Sequence, residues 1–176
     1  MDIRFVPHED IDMEKWDKCV DESVNRLPYA FSWYLDTVAH GWHALIADDY
    51  RAVFPITARK KYGIHYLAQP PFTQQLGVFS RDLLSAKVVD QFIEAIPQRY
   101  KLVEIKLNKH NFPADNYSRV TKNTNLELPL ISSYEDLQKK YSKNLKRNLK
   151  KARKSDLTVV PQVNPVEIIR MFQLNR

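Results

Sequence analysis

The sequence predicts a mixed α/β (α+β) fold, in which helices flank a mostly antiparallel sheet. A chain of 176 residues has the length of one compact domain. Hydrophobic residues make up 44% of the chain and charged residues 27%, which is typical of a globular protein. Short segments with a two-residue apolar period alternate with segments of helical period, and this order indicates both strands and helices.

The first part of the chain predicts one strand, two helices and then a meander. Alternating residues over 3–6 predict the first strand. Asp12 is expected to cap a helix that continues to about Ser23, and Ser32 to cap a shorter helix over 33–40. The apolar segments that follow predict three antiparallel strands, over 42–47, 50–60 and 64–68.

Turn residues separate these elements, and one proline lies inside a predicted strand. Gly41 follows the second helix at a position where a positive φ is favoured. Asp48-Asp49 and Tyr62-Gly63 are the expected two-residue turns of the meander. Pro55 lies inside the second meander strand and has no N–H to donate, which predicts an edge position or a bulge there.

The second part of the chain predicts further strands and two long helical segments. Ser133 is expected to begin a helical segment that is basic over most of its length and has a potential break near Ser142. Asn164 and Pro165 are expected to begin the last helix, which continues to the end of the sequence and suggests a longer protein. The expected helices are 85–97, 133–156 and 166–176, and the expected strands are 102–107, 117–121, 125–130 and 158–160.

Positive charge is concentrated in one segment of the chain. Nine of the 27 lysine and arginine residues lie within 139–154, where there is no acidic residue. The rest of the chain is mildly acidic, although the formal net charge is +6. This distribution favours a local anion-binding surface over a generally basic protein.

The basic segment is amphipathic when it is drawn as a helix. Its apolar residues Tyr141, Leu145, Leu149 and Ala152 fall within an arc of about 80°, which is expected to pack on the domain. The cations cover roughly 160° on the other side. One interpretation is a solvated face, and the other is a surface that binds phosphates of tRNA, of a nucleotide-linked substrate or of an anionic membrane. The candidate phosphate-binding residues are Lys143, Lys146, Arg147, Lys150, Lys151 and Lys154.

An aromatic cluster and the polar loop over 69–77 suggest a second candidate site. Core packing accounts for most of the aromatic residues between 29 and 34. The alternative is a cleft in which amides and a hydroxyl orient a polar substrate without acid–base chemistry. The cleft candidates are Trp33, Tyr34, Gln69, Phe72, Thr73, Gln74 and Gln75.

Several classes of protein are disfavoured by the sequence. The five histidines are scattered without metal-ligand spacing, so no metal is expected. Cys19 is expected to be a buried, inert thiol. No apolar run reaches the ~18 residues of a membrane span, and no nucleophile elbow or phosphate-binding glycine loop is present. One cysteine and no apolar leader favour a cytoplasmic location.

The order of elements resembles the N-acetyltransferase-like (GNAT) fold. Two segments add to the resemblance: 52–56 followed by 66–72, and 141–152, which is similar to a basic helix of the Fem-type peptidyltransferases of bacteria. Those proteins usually have two GNAT-like halves. The resemblance therefore implies that residues 1–176 are one GNAT-like domain, the first half of a two-domain protein whose second domain is missing here.

The resemblance also implies a function. It suggests transfer of an acyl or aminoacyl group to an amine acceptor, with this chain as the acceptor-side half-site and with unknown catalytic residues. No firmly bound cofactor is implied, and the acyl donor is acyl-CoA or aminoacyl-tRNA. Pro70 and Pro71 lack the N–H groups that GNAT enzymes use near this position to bind CoA. The alternative is a non-catalytic nucleic-acid-binding module that uses the basic helix to bind tRNA.

Overall fold

A computed structural model describes residues 1–114 and 120–175 of the chain. The chain divides into two compact units, Met1–Asn125 and Leu126–Arg176. The first unit contains all of the strands among the described residues, and the second contains helices and irregular segments.

The first unit is an α+β structure with two mostly antiparallel sheets, so the predicted fold class is confirmed. Most of its elements lie where the sequence predicts them, within a few residues at each end. Its helices are α1 (Met13–Asp21), α2 (Ser32–Val38) and α3 (Ala86–Glu94). Its strands are β1 (Ile3–Val6), β2 (His43–Ala47), β3 (Ala52–Ile56), β4 (Ala58–Lys61), β5 (Ile64–Ala68), β6 (Phe79–Ser80) and β7 (Tyr100–Glu104).

The strand predicted over 50–60 is two strands that belong to different sheets. The first sheet has the antiparallel order β1-β2-β3-β6, and the second has the order β4-β5-β7, in which β5 and β7 are parallel. Pro55 lies opposite Ala44 of β2, while β6 pairs only with Ala52 and Val53 of β3. On the β6 side, Pro55 therefore occupies a locally uncovered part of β3, as expected for a residue without an N–H.

Side chains cap the helices of the first unit, and one cap differs from the prediction. Asp12 accepts a hydrogen bond from the N–H of Lys15 at the start of α1, as predicted. Ser32, however, is the first helical residue of α2 and not its cap. Its N–H and Oγ instead donate to the carboxylate of Asp17 at 2.7 and 2.6 Å, so a residue of α1 satisfies the start of α2.

The core of the first unit lies on both faces of the four-stranded sheet. On one face Trp16 of α1 packs against Trp42, with ring centroids 4.6 Å apart, and its indole N–H donates to the carbonyl of Ala30. On the other face Phe92 of α3 packs edge-on against Phe54 of β3. The residues of β2 alternate between these two clusters, as the pleat of a strand requires.

Three buried asparagines hold the segment around β6, and the sequence did not indicate them. Asn25 donates to the carbonyl of Val78 at 2.7 Å, and Asn111 bonds both the N–H and the carbonyl of Val78. Asn108 donates to the carbonyl of Leu76, and its own Oδ1 accepts from Asn25 and Asn111. These amides replace backbone partners that a two-residue strand cannot supply.

The second unit contains α4 (Tyr134–Lys139), α5 (Lys143–Ala152) and α6 (Pro165–Leu174). The predicted cap residues Ser133 and Asn164 accept hydrogen bonds at the starts of α4 and α6. The strands predicted over 125–130 and 158–160 are wrong, because both stretches are irregular. The strand predicted over 117–121 lies mostly outside the described residues. Over 1–114 and 120–175, no helix is long and apolar enough to cross a bilayer.

Candidate anion-binding surface and aromatic cleft

The predicted basic helical segment is two helices, and the break falls at the predicted position. Ser142 lies between α4 and α5, and its Oγ accepts a hydrogen bond from the N–H of Leu145 at 3.2 Å. Such a cap satisfies one of the unpaired donors at a helix start. α5 therefore begins directly at Lys143, and most of the candidate phosphate-binding residues lie within this one helix.

The six candidate cations form an exposed surface, which we call the basic surface. Lys143, Lys146, Arg147, Lys150 and Lys151 lie on α5, and Lys154 follows it. All six side chains are exposed. None of them forms an ion pair with a described residue, whereas Lys139 of α4 pairs with Asp136 at 2.7 Å. The positive charge of the basic surface is thus uncompensated within the described chain.

An open groove runs along part of this surface within the second unit. Its volume is about 490 Å³. The Nζ of Lys146 donates to the carbonyl of Lys139 at 2.9 Å, which connects α5 to the end of α4 on this side. Leu149 is the apolar residue of the groove, and cations predominate around it. The lining residues are Gln138, Lys139, Lys146, Leu149, Lys150, Arg153 and Lys154.

The apolar stripe of the basic helix is only partly covered within the second unit, and its packing on a domain stays a prediction. Leu145 is 41% exposed, and Tyr141 and Leu149 are half-buried. Tyr141 contacts Tyr134 of α4 edge-on, with centroids 6.4 Å apart. The described residues of the second unit include no buried side chain, so α4 and α5 shield each other only in part.

The chemistry available on the basic surface is electrostatic. Lysine and arginine side chains donate hydrogen bonds and carry positive charge. Pairs of like charge four residues apart, such as Lys146 with Lys150, destabilise an isolated helix by about 0.2–0.5 kcal/mol each. A phosphate between two such cations would reduce this repulsion.

Some of the residues predicted for an aromatic cleft come together in the first unit, although they are distant in sequence. The hydroxyl of Tyr34 on α2 donates to the carbonyl of Phe72 at 2.6 Å. The rings of Trp33 and Tyr29 contact the Tyr34 ring edge-on, with centroids 5.6 and 5.4 Å away. Trp33 is 61% exposed and Phe72 is 92% exposed, so both of these residues, which contact Tyr34, leave their aromatic side chains open to solvent.

The side-chain amide of Gln69 and backbone hydrogen bonds hold the loop over 69–77. The amide of Gln69 donates to the carbonyl of Thr73 at 3.1 Å and accepts from the N–H of Lys106 at 3.0 Å. Thr73 is buried, Gln74 is exposed and Gln75 is half-buried. Phe72 has a φ of 59°, which is uncommon for an aromatic residue and which the neighbouring hydrogen bonds maintain.

The position of the loop follows from the parallel pairing of β5 and β7. Ala68 ends β5 and pairs with Glu104 at the end of β7, so both carboxyl ends meet at one edge of the sheet. The loop begins at the next residue, Gln69, and Gln69 contacts Lys106 just beyond β7. Ligands of sheets with parallel strands commonly bind at such carboxyl ends. Of the three amides and the hydroxyl predicted for this loop, the side chains of Gln74 and Gln75 are the ones that form no hydrogen bond to the described chain.

Some titratable residues outside the two candidate sites have structural roles. His8 and Trp42 both bond to the carboxylate of Asp36, at 2.9 and 2.8 Å. Burial opposes ionisation of Asp36, but these hydrogen bonds outweigh it and hold its pKa below the usual value. Burial raises the pKa of the Cys19 thiol to about 11, and at neutral pH such a thiol is not a nucleophile. Within the described residues, no three His, Cys, Asp or Glu side chains are placed to hold a metal ion.

Sequence reasoning missed a second basic element, in the hairpin of β4 and β5. Arg59, Lys60 and Lys61 follow one another in β4 and are exposed. The signal is present in the sequence, since the stretch 50–81 contains no acidic residue. It is weaker than the signal of the basic surface, because the nine cations of 139–154 are a larger concentration of charge.

No protein-family model matches the chain, and no curated protein or solved structure matches it either.

Proposed function

We propose that the chain is a cytoplasmic nucleic-acid-binding protein whose basic surface on α5 holds the phosphates of tRNA. One observation carries the proposal: six exposed cations lie on and directly after one helix, and none of them is paired with a carboxylate of the described chain. A polyanion such as tRNA carries closely spaced phosphates, so several of these cations can each neutralise one of them.

An anionic membrane is a poorer partner for this helix. A helix that lies on a bilayer inserts an apolar face of Trp, Phe and Leu side chains among the lipids. α5 offers only Leu145 and Leu149 as large apolar residues, and Leu149 is half-buried beside the groove. A nucleic acid needs no apolar face, because its backbone is bound through charge.

Charge reversal on α5 is the test of this function. In the Lys146→Glu/Lys150→Glu variant we expect the affinity for tRNA to fall about tenfold or more at low salt, because at least two phosphate contacts become repulsive. The dependence of log affinity on log salt concentration is expected to become shallower by about 2. Fluorescence anisotropy of labelled tRNA between about 50 and 200 mM salt measures both quantities.

A matched control separates the location of the charge from its amount. Lys18→Glu/Lys87→Glu makes the same change in net charge at exposed positions of the first unit. We expect this control to keep the salt dependence of the wild type. If both double variants lose affinity equally, the attraction is a property of the overall charge, and the basic surface is not a site.

A second function, GNAT-like acyl or aminoacyl transfer to an amine, is favoured by the aromatic cleft. The cleft lies at the carboxyl ends of β5 and β7, and its loop is held by Tyr34 and Gln69. In this proposal the chain is the acceptor-side half-site, and the acyl group arrives on tRNA or CoA. Rate enhancement would come from orientation of the two reactants, which requires fixed side chains and no strong base.

Trp33 provides a direct readout for this second function. Trp16 and Trp42 are fully buried, so ligand-dependent quenching of tryptophan fluorescence reports on Trp33. We expect aminoacyl-tRNA or acyl-CoA to quench the emission of the wild type, and Phe72→Ala to weaken that binding severalfold. The Trp33→Phe variant is the control and should show no quenching. Binding without any change at Trp33 would place the ligand away from the cleft.

A further inference from the structure

The hairpin of β4 and β5 is exposed on both of its faces near its tip. Its ladder pairs are Arg59 with Tyr66, Lys60 with His65 and Lys61 with Ile64. Tyr62 and Gly63 form the turn, with φ values of 50° and 77°, as a tight two-residue hairpin turn requires. Residues 59–65 are all exposed, so this end of the hairpin has no buried face, although His65 and Tyr66 of β5 also pair with β7 along the other edge of β5. We call residues 59–66 the basic hairpin.

The charge of the basic hairpin is uncompensated. Arg59, Lys60 and Lys61 form no ion pair with a residue of the described ranges, and 50–81 contains no acidic residue at all. At the tip, the ring of Tyr62 is 91% exposed, and the Nζ of Lys61 lies 5.3 Å from its centroid. The tip therefore presents an aromatic ring beside a cation, which is the combination that single-stranded nucleic acids bind.

The basic hairpin carries cations on both faces, and this distinguishes between the partners that could bind it. Successive side chains of a strand point to opposite faces, so Arg59 and Lys61 lie on one face, and Lys60 and His65 lie on the other. A flat bilayer contacts one face only and leaves the other cations unused. A flexible single strand of nucleic acid can bend around the end of the hairpin and place phosphates against both faces.

We propose that the basic hairpin is a second nucleic-acid-binding site, at which the cations of both faces bind phosphates and Tyr62 stacks on an unpaired base. The site is made of residues of the first unit alone and does not depend on α5. An aromatic ring accepts any base, because every base has a flat face, and the site is therefore expected to bind single strands with little sequence preference.

Protection of a sheet edge is the other role that exposed cations in β4 can have. β4 is an edge strand of its sheet, and charged side chains at an edge prevent pairing with other chains. Charges of either sign provide that protection. Reversal of sign therefore separates the two roles: an edge that is only protected tolerates glutamate, whereas a phosphate-binding site does not.

The experiment uses the full chain and two labelled probes of equal length, a single-stranded oligonucleotide and its abasic counterpart. We expect Arg59→Glu/Lys61→Glu to weaken binding of both probes about tenfold at low salt. The variant Arg59→Lys/Lys61→Arg keeps both positive charges and is expected to bind both probes as the wild type does. Tyr62→Asn keeps a favourable Asn-Gly turn and removes the ring. It is expected to weaken binding of the base-containing probe about tenfold and to leave the abasic probe unchanged.

The outcomes separate this inference from the proposed function of α5. The basic hairpin is upheld if its variants lose affinity equally in the wild type and in the Lys146→Glu/Lys150→Glu background. It is overturned if sign reversal leaves binding unchanged or if Tyr62→Asn affects both probes alike. It is also overturned if the variants lose more affinity for vesicles with anionic lipid than for the oligonucleotide. Circular dichroism of each variant establishes that the fold is retained, and none of these results alters the test of α5.

Discussion

Replacing Asn111 with alanine is expected to lower the free energy of unfolding of the first unit by about 3 kcal/mol. The side chain of Asn111 is buried, and its Oδ1 accepts from the N–H of Val78 at 2.6 Å. Its Nδ2 donates to the carbonyl of Val78 at 3.0 Å and to Oδ1 of Asn108 at 3.1 Å. Alanine leaves the N–H of Val78 buried without a partner, and the cost of such a group exceeds that of one lost hydrogen bond.

Urea unfolding followed by tryptophan emission measures this change, because Trp16 and Trp42 are buried in the same unit. Asn123→Ala is the matched control, since Asn123 is exposed and the same atoms are removed. The control should lie within about 0.5 kcal/mol of the wild type. A loss below about 1 kcal/mol for Asn111→Ala would mean that water or a shift of the loop replaces the amide, and that the asparagines do not hold β6.

Local patterns account for the parts of the fold that the sequence predicts well. Asp12, Ser133 and Asn164 each accept a hydrogen bond from an N–H two or three residues ahead, so a short window contains both partners of each cap. The turn at Tyr62-Gly63 is equally local. These features depend on backbone geometry that nearby residues determine, and they were predicted within a few residues.

Contacts between distant residues account for what the sequence did not predict. Asn25 bonds to Asn108, which is 83 residues away, and no local pattern distinguishes these asparagines from exposed ones. Ser32 has the residue type of a cap, but the cap comes from Asp17 of another helix. The division of 50–60 between two sheets depends on which strands pair, and pairing partners lie outside any window of the sequence.

The candidate sites also differ in how far each could be predicted from the sequence. The basic surface could be predicted, because a long run of cations without acids cannot be buried and is exposed in the structure. The cleft was predicted only as a set of residue types, and the hydrogen bond between Tyr34 and Phe72 spans 38 residues. The basic hairpin was missed because three cations in a strand are an ordinary edge pattern, and only the exposure of both faces distinguishes it.

Gly77→Ala is expected to destabilise the first unit by about 3 kcal/mol for two separable reasons. Gly77 has a φ of 111°, which side chains rarely tolerate. A Cβ at this position would overlap Oδ1 of Asn111 and would lie 3.1 Å from Cδ2 of Leu107. The substitution therefore strains the backbone and also displaces the amide that bonds Val78.

Two further variants separate the strain from the overlap. Gly41 also has a positive φ, of 70°, but nothing lies within 4 Å of the position that an alanine Cβ would take, so Gly41→Ala reports backbone strain alone. In the Asn111→Ala background the overlapping oxygen is absent, and Gly77→Ala should then cost about 1–2 kcal/mol less than in the wild type. If the two substitutions are additive in urea unfolding, the close packing of Gly77 against Asn111 contributes nothing, and the glycine is required only for its φ.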